Sequence, residues 1–145
     1  MADLTVLKAD VSLDLAQDLL REVRAEALRQ GKAMAAAVVD RGGNLVAAMR
    51  MDGAQIIAIP LAVDKAYTAT ACGLPTQTWA ATTQPGGHDW GFNTTLGGRM
   101  VVFPGGVPII VGADVVGGLG VSGAAASVDQ ACAEAALRSA GFDCG

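Results

Sequence analysis

The sequence predicts an α+β protein in which helices pack on a five-stranded antiparallel sheet. Short apolar runs are joined by glycine-rich turns, which is typical of antiparallel strands. Segments with apolar residues at helical spacing stand before, between and after these runs. The length of 145 residues is that of one domain, so residues 1–145 are expected to form a single unit. The predicted order is α-β-β-α-(short α)-β-β-β-α.

Two helices are marked by their ends as well as by their composition. The first is predicted from an N-cap at Ser12 to about Gln30, with apolar residues recurring every four positions. The second is predicted to start at Ile59-Pro60 and to run to Cys72, because proline is tolerated in the first turn of a helix. A glycine follows each of these segments and supplies a C-terminal stop.

Five apolar runs predict the strands. Residues 33–39 and 44–50 flank a Gly-Gly turn and indicate a β-hairpin. Residues 99–103, 107–111 and 115–121 indicate three further strands joined by tight turns. All five are expected to belong to one antiparallel sheet.

Two further helical segments complete the chain. A short helical turn over residues 76–81 is predicted after a proline, with Trp79 packing inward. Ser127 followed three residues later by Gln130 is the pattern of a capping box. The last helix is therefore predicted over residues 128–140.

Composition argues against several classes of function. The net charge is −4 and no basic cluster lies beside aromatic residues, so nucleic-acid binding is not expected. No apolar run approaches the roughly 18 residues of a membrane span, and no secretory signal is visible. Cys72, Cys132 and Cys144 show no paired spacing, which favours reduced thiols in a cytoplasmic protein. The apolar fraction of 52% leaves surplus apolar surface and predicts a homo-oligomer.

The stretch over residues 84–123 carries most of the glycines and the only histidine. Such glycine density is typical of tight turns or of backbone that closely approaches a ligand. His88 could be an axial haem ligand, a general base or one ligand of a metal ion, or simply an exposed loop residue. Asp89 beside it offers a further ligand or base. We therefore expect a ligand site in this stretch.

Two arginines pose the question of what neutralises them. Arg99 begins an otherwise apolar run, and an unpaired buried charge is costly, so it needs a carboxylate partner or an anionic ligand. Arg50 at the end of the second strand raises the same question. The structural alternative is a salt bridge, from Arg99 to Asp129 and from Arg50 to Asp52 or Asp64. The sequence leaves these alternatives open.

Lys65 lies among alanines on the second helix, where it would either extend to water or reach an anion. If Lys65, Arg99 and the amides of the glycine-rich loops converged, they would bind a carboxylate. Neutral hydrogen bonds from the loop would add to them. The residues predicted to bind a ligand are Arg99, Lys65, Arg50, Trp90, Asn93, Thr95, Gly86 and Gly87.

Six segments resemble the GlcG/HbpS-like haem-binding family, which includes the C-terminal domain of PduO-type corrinoid proteins: 39–46, 50–54, 64–69, 84–87, 103–108 and 116–123. The resemblance covers nearly the whole chain. It implies a profilin-like sandwich with an antiparallel sheet, homo-oligomers, and haem binding as in several members. The family's haem ligands are not fixed by one shared motif, and His88 is a candidate haem iron ligand of this chain.

The leading hypothesis is a small-molecule binding protein whose ligand is haem or a related tetrapyrrole. The alternative is a cofactor-free isomerase, lyase or hydrolase that acts on a small carboxylate in a catabolic pathway. Arg99 and Lys65 would then hold the anion, and His88 or Asp89 would move the proton. A structural or chaperone-like subunit of a catabolic complex is a third reading.

Overall fold

A computed structural model describes residues 3–144 as three helices around one four-stranded sheet. The elements are α1 (Leu13–Arg29), β1 (Ala35–Asp40), β2 (Leu45–Arg50), α2 (Ala58–Cys72), β3 (Gly106–Val111), β4 (Asp114–Ser122) and α3 (Ala126–Ser139). Three short 3₁₀ turns lie between α2 and β3, at Thr76–Trp79, Phe92–Thr94 and Leu96–Gly98. The strand order is β2-β1-β4-β3, and every neighbouring pair is antiparallel. The α+β class is thus confirmed, and the profilin-like description stays a prediction.

The ends of α1 and α2 are as the sequence predicts. The side-chain oxygen of Ser12 accepts a hydrogen bond from the N–H of Leu15 at 3.1 Å and caps α1. Gly73 follows α2 with a φ of +68°, and its N–H donates to the carbonyl of Ala69. A left-handed residue at this position is favourable for glycine, which explains why the helix stops there.

The predicted hairpin is formed by β1 and β2. Oδ1 of Asp40 accepts hydrogen bonds from the N–H groups of Gly42 and Asn44, at 2.9 and 2.8 Å. A carboxylate that binds turn amides in this way fixes the connection between the strands.

Helices cover both faces of the sheet, but at different distances. On one face, α1 and α3 pack over large aliphatic side chains such as Leu19, Leu119 and Leu137. On the other face, α2 lies directly on strand backbone, because a Cβ at Gly120 would overlap with the carbonyl oxygen of Ala62. The glycines of β4 therefore allow a helix–sheet contact without intervening side chains.

The predicted strand at residues 99–103 is wrong, and the sheet has four strands instead of five. This segment has no strand pairing and runs beside α2, where the N–H of Val101 donates to Oγ1 of Thr68 at 3.0 Å. A side chain therefore supplies a hydrogen-bond acceptor for this backbone in place of a neighbouring strand. Within residues 3–144, β3 remains an edge of the sheet.

The prediction of a capping box at the start of the last helix, formed by Ser127 and Gln130, is also wrong. The N-cap of α3 is Ala125, which makes no side-chain capping bond. Oδ1 of Asp129 instead accepts from the N–H of Ala124 at 2.9 Å, and Oε1 of Gln130 accepts from the N–H of Gly105. Gln130 therefore holds a distant turn and does not cap its own helix. No helix among the described residues is long and apolar enough to cross a lipid bilayer.

Candidate functional site

The glycine-rich loop at residues 80–95 folds on itself through its own backbone. The N–H of Asp89 donates to the carbonyl of Thr82 at 3.0 Å, and the N–H of Gly87 donates to that of Gln84 at 2.8 Å. A Cβ at Gly87 would overlap with the carbonyl oxygen of Thr82, so the loop closes only with glycine at this position. The close turn thus accounts for part of the glycine density that the sequence shows.

An aromatic stack anchors this loop to the helical turn before it. The rings of Trp79 and Phe92 are stacked, with their centroids 4.7 Å apart and an interplanar angle of 29°. Trp79 therefore faces the loop, in agreement with its predicted inward packing. Its Nε1 and the hydroxyl oxygen of Thr82 are both buried and have no hydrogen-bond partner among the described residues.

A cavity of about 400 Å³ opens beside the loop, and we call it the loop cavity. Trp90 from the loop and Phe103 from the segment before β3 give it two aromatic walls, and both rings are partly exposed to solvent. The complete lining is Ala80, Thr83, Gln84, Trp90, Gly91, Asn93, Thr94, Val102 and Phe103. The cavity is therefore largely apolar and offers hydroxyl and amide groups in place of charges.

The wall formed by residues 101–106 is held by side chains from three different elements. Oγ1 of Thr76 accepts from the N–H of Gly106 at 2.9 Å, and Gln130 and Thr68 bind the backbone at Gly105 and Val101. These contacts place Phe103 at the cavity without a strand pairing.

Lys65 lies behind that wall and is completely buried. Its Nζ donates to Oδ2 of Asp129 at 2.8 Å and to the carbonyl of Val121 at 3.0 Å, and it lies 5.3 Å from the ring centroid of Phe103. Burial lowers the pKa of Lys65 from its ordinary value, and the hydrogen bond and charge of Asp129 oppose this shift. Lys65 therefore does not line the loop cavity itself, but lies beside Phe103, which does.

The predicted salt bridge from Arg99 to Asp129 is wrong, because Arg99 pairs with a different aspartate. Its Nε donates to Oδ1 of Asp64 at 3.0 Å, and its guanidinium lies 3.7 Å from the ring centroid of Tyr67. Lys65 and Arg99 thus each face a carboxylate of this chain. They therefore do not form the shared carboxylate-binding site that the sequence analysis considered.

Arg50 lies elsewhere, at the exposed end of the edge strand β2. It makes no ion pair with Asp52 or Asp64 within the described residues. It borders a second cavity, of about 390 Å³, together with residues of α1. The structure therefore separates Arg50 from the glycine-rich loop.

His88 and Asp89 stand on the loop but outside the cavity lining. The imidazole of His88 is exposed, and Asp89 is partly buried. His88 is two residues before Trp90, which lines the cavity, so the chain connectivity keeps His88 near the edge of the cavity. Among residues 3–144, no group of three or more His, Cys, Asp or Glu side chains is placed to hold a metal ion.

The other predicted ligand-binding residues divide between the cavity and the backbone of the loop. Trp90 and Asn93 line the loop cavity. The hydroxyl of Thr95 donates to the carbonyl of Phe92 at 2.7 Å, so it is engaged by the loop itself. Gly86 has a φ of +83° and serves the turn together with Gly87.

Several cavity residues were missed in the sequence, namely Ala80, Thr83, Gln84, Val102 and Phe103. Phe103 carried a usable signal, because it precedes a Pro-Gly-Gly turn within a segment of the family resemblance. The assignment of residues 99–103 to a strand hid that signal.

Residues 11–138 match the family described as haem-degrading protein HbpS-like. The match covers most of the chain, which therefore belongs to the HbpS-like family. A 15.0 kDa protein encoded in the dhaT-dhaS intergenic region of Citrobacter freundii is 36% identical over 129 residues, which are 89% of this chain and 91% of that one.

The corrinoid adenosyltransferase PduO of Citrobacter freundii is 33% identical over 100 residues. These are 69% of this chain but only 30% of PduO, so the chain spans less than a third of that enzyme.

Solved structures of the same fold agree with this membership. Protein ORFY of Klebsiella pneumoniae gives a TM-score of 0.93 at 31% identity and covers 95% of both chains. The haem complex of PduOC gives 0.90 at 27% identity, over 94% of this chain and 99% of that one. A double mutant of HbpS from Streptomyces reticuli gives 0.87 at 26% identity, over 97% and 94% of the two chains.

Proposed function

We propose that this protein binds haem or a related tetrapyrrole in the loop cavity. The observation that carries the proposal is the pair of aromatic walls, Trp90 and Phe103, beside the loop that bears the only histidine. Membership of the HbpS-like family supports it, as does the likeness to the PduOC haem complex.

The residues of the cavity fit a flat, largely apolar ring. Trp90, Phe103 and Val102 offer apolar surface, and aromatic side chains stack favourably on a conjugated macrocycle. The volume of about 400 Å³ lies in the usual range of small-molecule sites, roughly 300–1,000 Å³. Because the cavity is open, a macrocycle larger than this volume would extend into solvent.

Polar groups at the same cavity suit the edge of such a ring. Asn93 and Thr94 contribute an amide and a hydroxyl to the lining. The side-chain amide of Asn93 can donate a hydrogen bond to a carboxylate on the ring without a salt bridge, whereas the hydroxyl of Thr94 already donates to the carbonyl of Gly91 at 2.6 Å. Lys65 and Arg99 take no part in this proposal, because each is paired with a carboxylate of the chain.

We assign the iron ligand to His88. An imidazole is a common axial ligand of haem, and this one is exposed and available on the loop that supplies Trp90. Haem, when bound, would supply a redox-active iron, and the chain's own contribution would be to hold the ring and offer one nitrogen.

Titration of the protein with hemin tests the proposal, with the Soret band as the readout. We expect saturable binding that is weakened about tenfold or more by Trp90→Ala and by Phe103→Leu, because each substitution removes aromatic surface. Ile57→Ala, which truncates an exposed apolar residue outside the cavity, is the matched control and should leave the affinity unchanged.

Metal-free protoporphyrin IX separates binding of the ring from ligation of the iron. His88→Ala should change the Soret band of the hemin complex and leave the affinity for protoporphyrin IX unchanged. Loss of affinity for both ligands in the cavity variants would place the ring as proposed. Absence of saturable binding, or equal binding by the cavity variants and the control, would refute the assignment.

A further inference from the structure

The second cavity, of about 390 Å³, is lined by α1 and by the end of the edge strand β2, and we call it the edge cavity. Arg24 and Leu28 of α1 form one side of it, and their spacing of four residues places them on one face of the helix. The other side is continuous along the chain and consists of Met49, Arg50, Met51 and Asp52. None of these residues lines the loop cavity, so the two cavities are separate.

The two arginines of the edge cavity differ from the other arginines of the chain in lacking a carboxylate partner. Ion pairs within residues 3–144 engage Arg21, Arg29, Arg41, Arg99 and Arg138. Arg24 and Arg50 form none among these residues, although both are exposed and Asp52 lines the same cavity. A guanidinium group is always charged and carries five N–H donors. Two unpaired ones at a single cavity therefore favour an anion.

The open edge of the sheet adds a backbone donor at the same place. Within the described part of the chain, β2 is paired only with β1. The N–H of Met51 donates to the carbonyl of Met34 across this pair at 2.9 Å. Hydrogen bonds alternate along each strand of an antiparallel pair, so the N–H of Arg50, one residue earlier, faces away from β1. This N–H can therefore bond a ligand in the edge cavity together with the guanidinium groups.

Two methionines give the edge cavity an apolar surface that is fixed to the body of the protein. Met49 and Met51 both pack against the core beneath α1. Sδ of Met51 accepts a hydrogen bond from the N–H of Met34 at 3.4 Å, and its carbonyl accepts from the N–H of Ala54 at 3.1 Å. Leu28 adds exposed aliphatic surface from α1. A ligand that fills this cavity therefore needs a carbon chain as well as a negative charge.

We propose that the edge cavity binds a small monocarboxylate with an aliphatic chain. The guanidinium groups of Arg24 and Arg50 hold the carboxylate, and the chain lies on Met49 and Met51. Asp52 offsets one of the two arginines, so the lining has a net charge of +1. This charge balances a carboxylate, whereas a phosphate monoester carries about −1.5 to −2 at pH 7. The site is independent of any ligand in the loop cavity.

Titration with hexanoate at low ionic strength tests the site, with ¹³C-labelled methionine methyl groups as the readout. We expect saturable shifts for Met49 and Met51 and none for Met100, which is buried and lines neither cavity. Hexanol lacks the charge and acetate lacks the chain, so each should bind at least tenfold more weakly than hexanoate. Absence of saturable shifts at Met49 and Met51, or tighter binding of hexyl phosphate than of hexanoate, would overturn the proposal.

Single substitutions of the arginines assign the charge that holds the ligand. Arg24→Gln and Arg50→Gln should each raise the dissociation constant of hexanoate about tenfold, because each removes charge-assisted hydrogen bonds to the carboxylate. Arg29→Gln is the matched control, since it removes the same charge from an exposed ion pair on α1 and should change the constant less than about twofold. All three side chains are exposed, so circular dichroism should stay unchanged. Equal effects of the three substitutions would indicate a general effect of net charge and would overturn the proposal.

Discussion

Nζ of Lys65 lies 2.8 Å from Oδ2 of Asp129, and both side chains are buried. The pair joins α2 to α3 across the end of β4, and its second hydrogen bond reaches the carbonyl of Val121. Because Phe103 lies against the same ammonium group, the pair also supports one wall of the loop cavity.

Lys65→Met should destabilise the protein by about 3–5 kcal/mol, because it leaves the carboxylate of Asp129 buried without its partner. Asp129→Asn in the same background should recover part of this loss, since it removes the uncompensated charge. Urea unfolding followed by circular dichroism measures both.

The matched control for this pair is Arg138→Gln. Arg138 lies 3.9 Å from Glu134 on the surface of α3 and is 59% exposed, so its loss should change stability by no more than about 0.5 kcal/mol. If Lys65→Met changed the free energy of unfolding as little as this control does, the buried pair of Lys65 and Asp129 would not stabilise the fold as described.

Gly120→Ala should be strongly destabilising. Its Cβ would overlap with the carbonyl oxygen of Ala62 and would lie 2.6 Å from the amide nitrogen of Ala66, and helix backbone cannot move aside as a side chain can. We expect a loss of about 3 kcal/mol or more in the free energy of unfolding.

Gly42→Ala is the comparison for that prediction. Its nearest neighbour would be the side-chain amide of Asn44 at 3.1 Å, which can rotate. Thermal unfolding of the two variants should differ by several degrees. Similar melting temperatures would contradict the direct contact of α2 with strand backbone.

Thr68→Val tests the hydrogen bond that replaces a strand pairing at residues 99–103. The substitution keeps the shape of the side chain and removes the acceptor for the N–H of Val101, which should cost about 1–3 kcal/mol. Hydrogen exchange of the Val101 amide should become faster. Thr95→Val, at an exposed threonine, should leave this amide unchanged.

Cys132 should make the stability of the protein depend on pH in alkaline solution. Burial, with smaller contributions from the charges of Glu26 and Asp129, raises the pKa of its thiol to about 11 from the ordinary 9.0. Between these two values the unfolded chain has released the thiol proton and the folded chain retains it. Since the unfolded state then binds fewer protons, stability falls as pH rises from about 9 to about 11.

Cys132→Ala removes this contribution while every other titrating group stays in place. The free energy of unfolding should therefore decrease less between pH 8 and pH 10.5 in the variant than in the wild-type protein. Equal decreases would mean that the folded thiol ionises like a free one.

The predictable parts of the fold were those decided by local chemistry. Ser12, Pro60 and Gly73 mark helix ends through caps and fixed dihedral angles, and such effects act within a few residues. Residues 99–103 have the composition of a strand, but the N–H of Val101 donates to the hydroxyl oxygen of Thr68, 33 positions away, instead of to a neighbouring strand. No local pattern reports a partner at that separation.

The candidate site divides in the same way. Trp90 and Asn93 could be assigned from their place in the glycine-rich loop, and both line the loop cavity. The partners of Lys65 and Arg99 could not, because Asp64 and Asp129 offer the same charge and only the three-dimensional arrangement of α2, α3 and the segment that carries Arg99 decides between them. His88 stays a predicted iron ligand.

The contact between α2 and the glycines of β4 limits which substitutions the scaffold of this protein tolerates. Where a helix rests on bare backbone, neither layer can be thickened by larger side chains without separating the two. The side chains that line the loop cavity lie outside this contact, so substitutions there can change the cavity without separating the two layers.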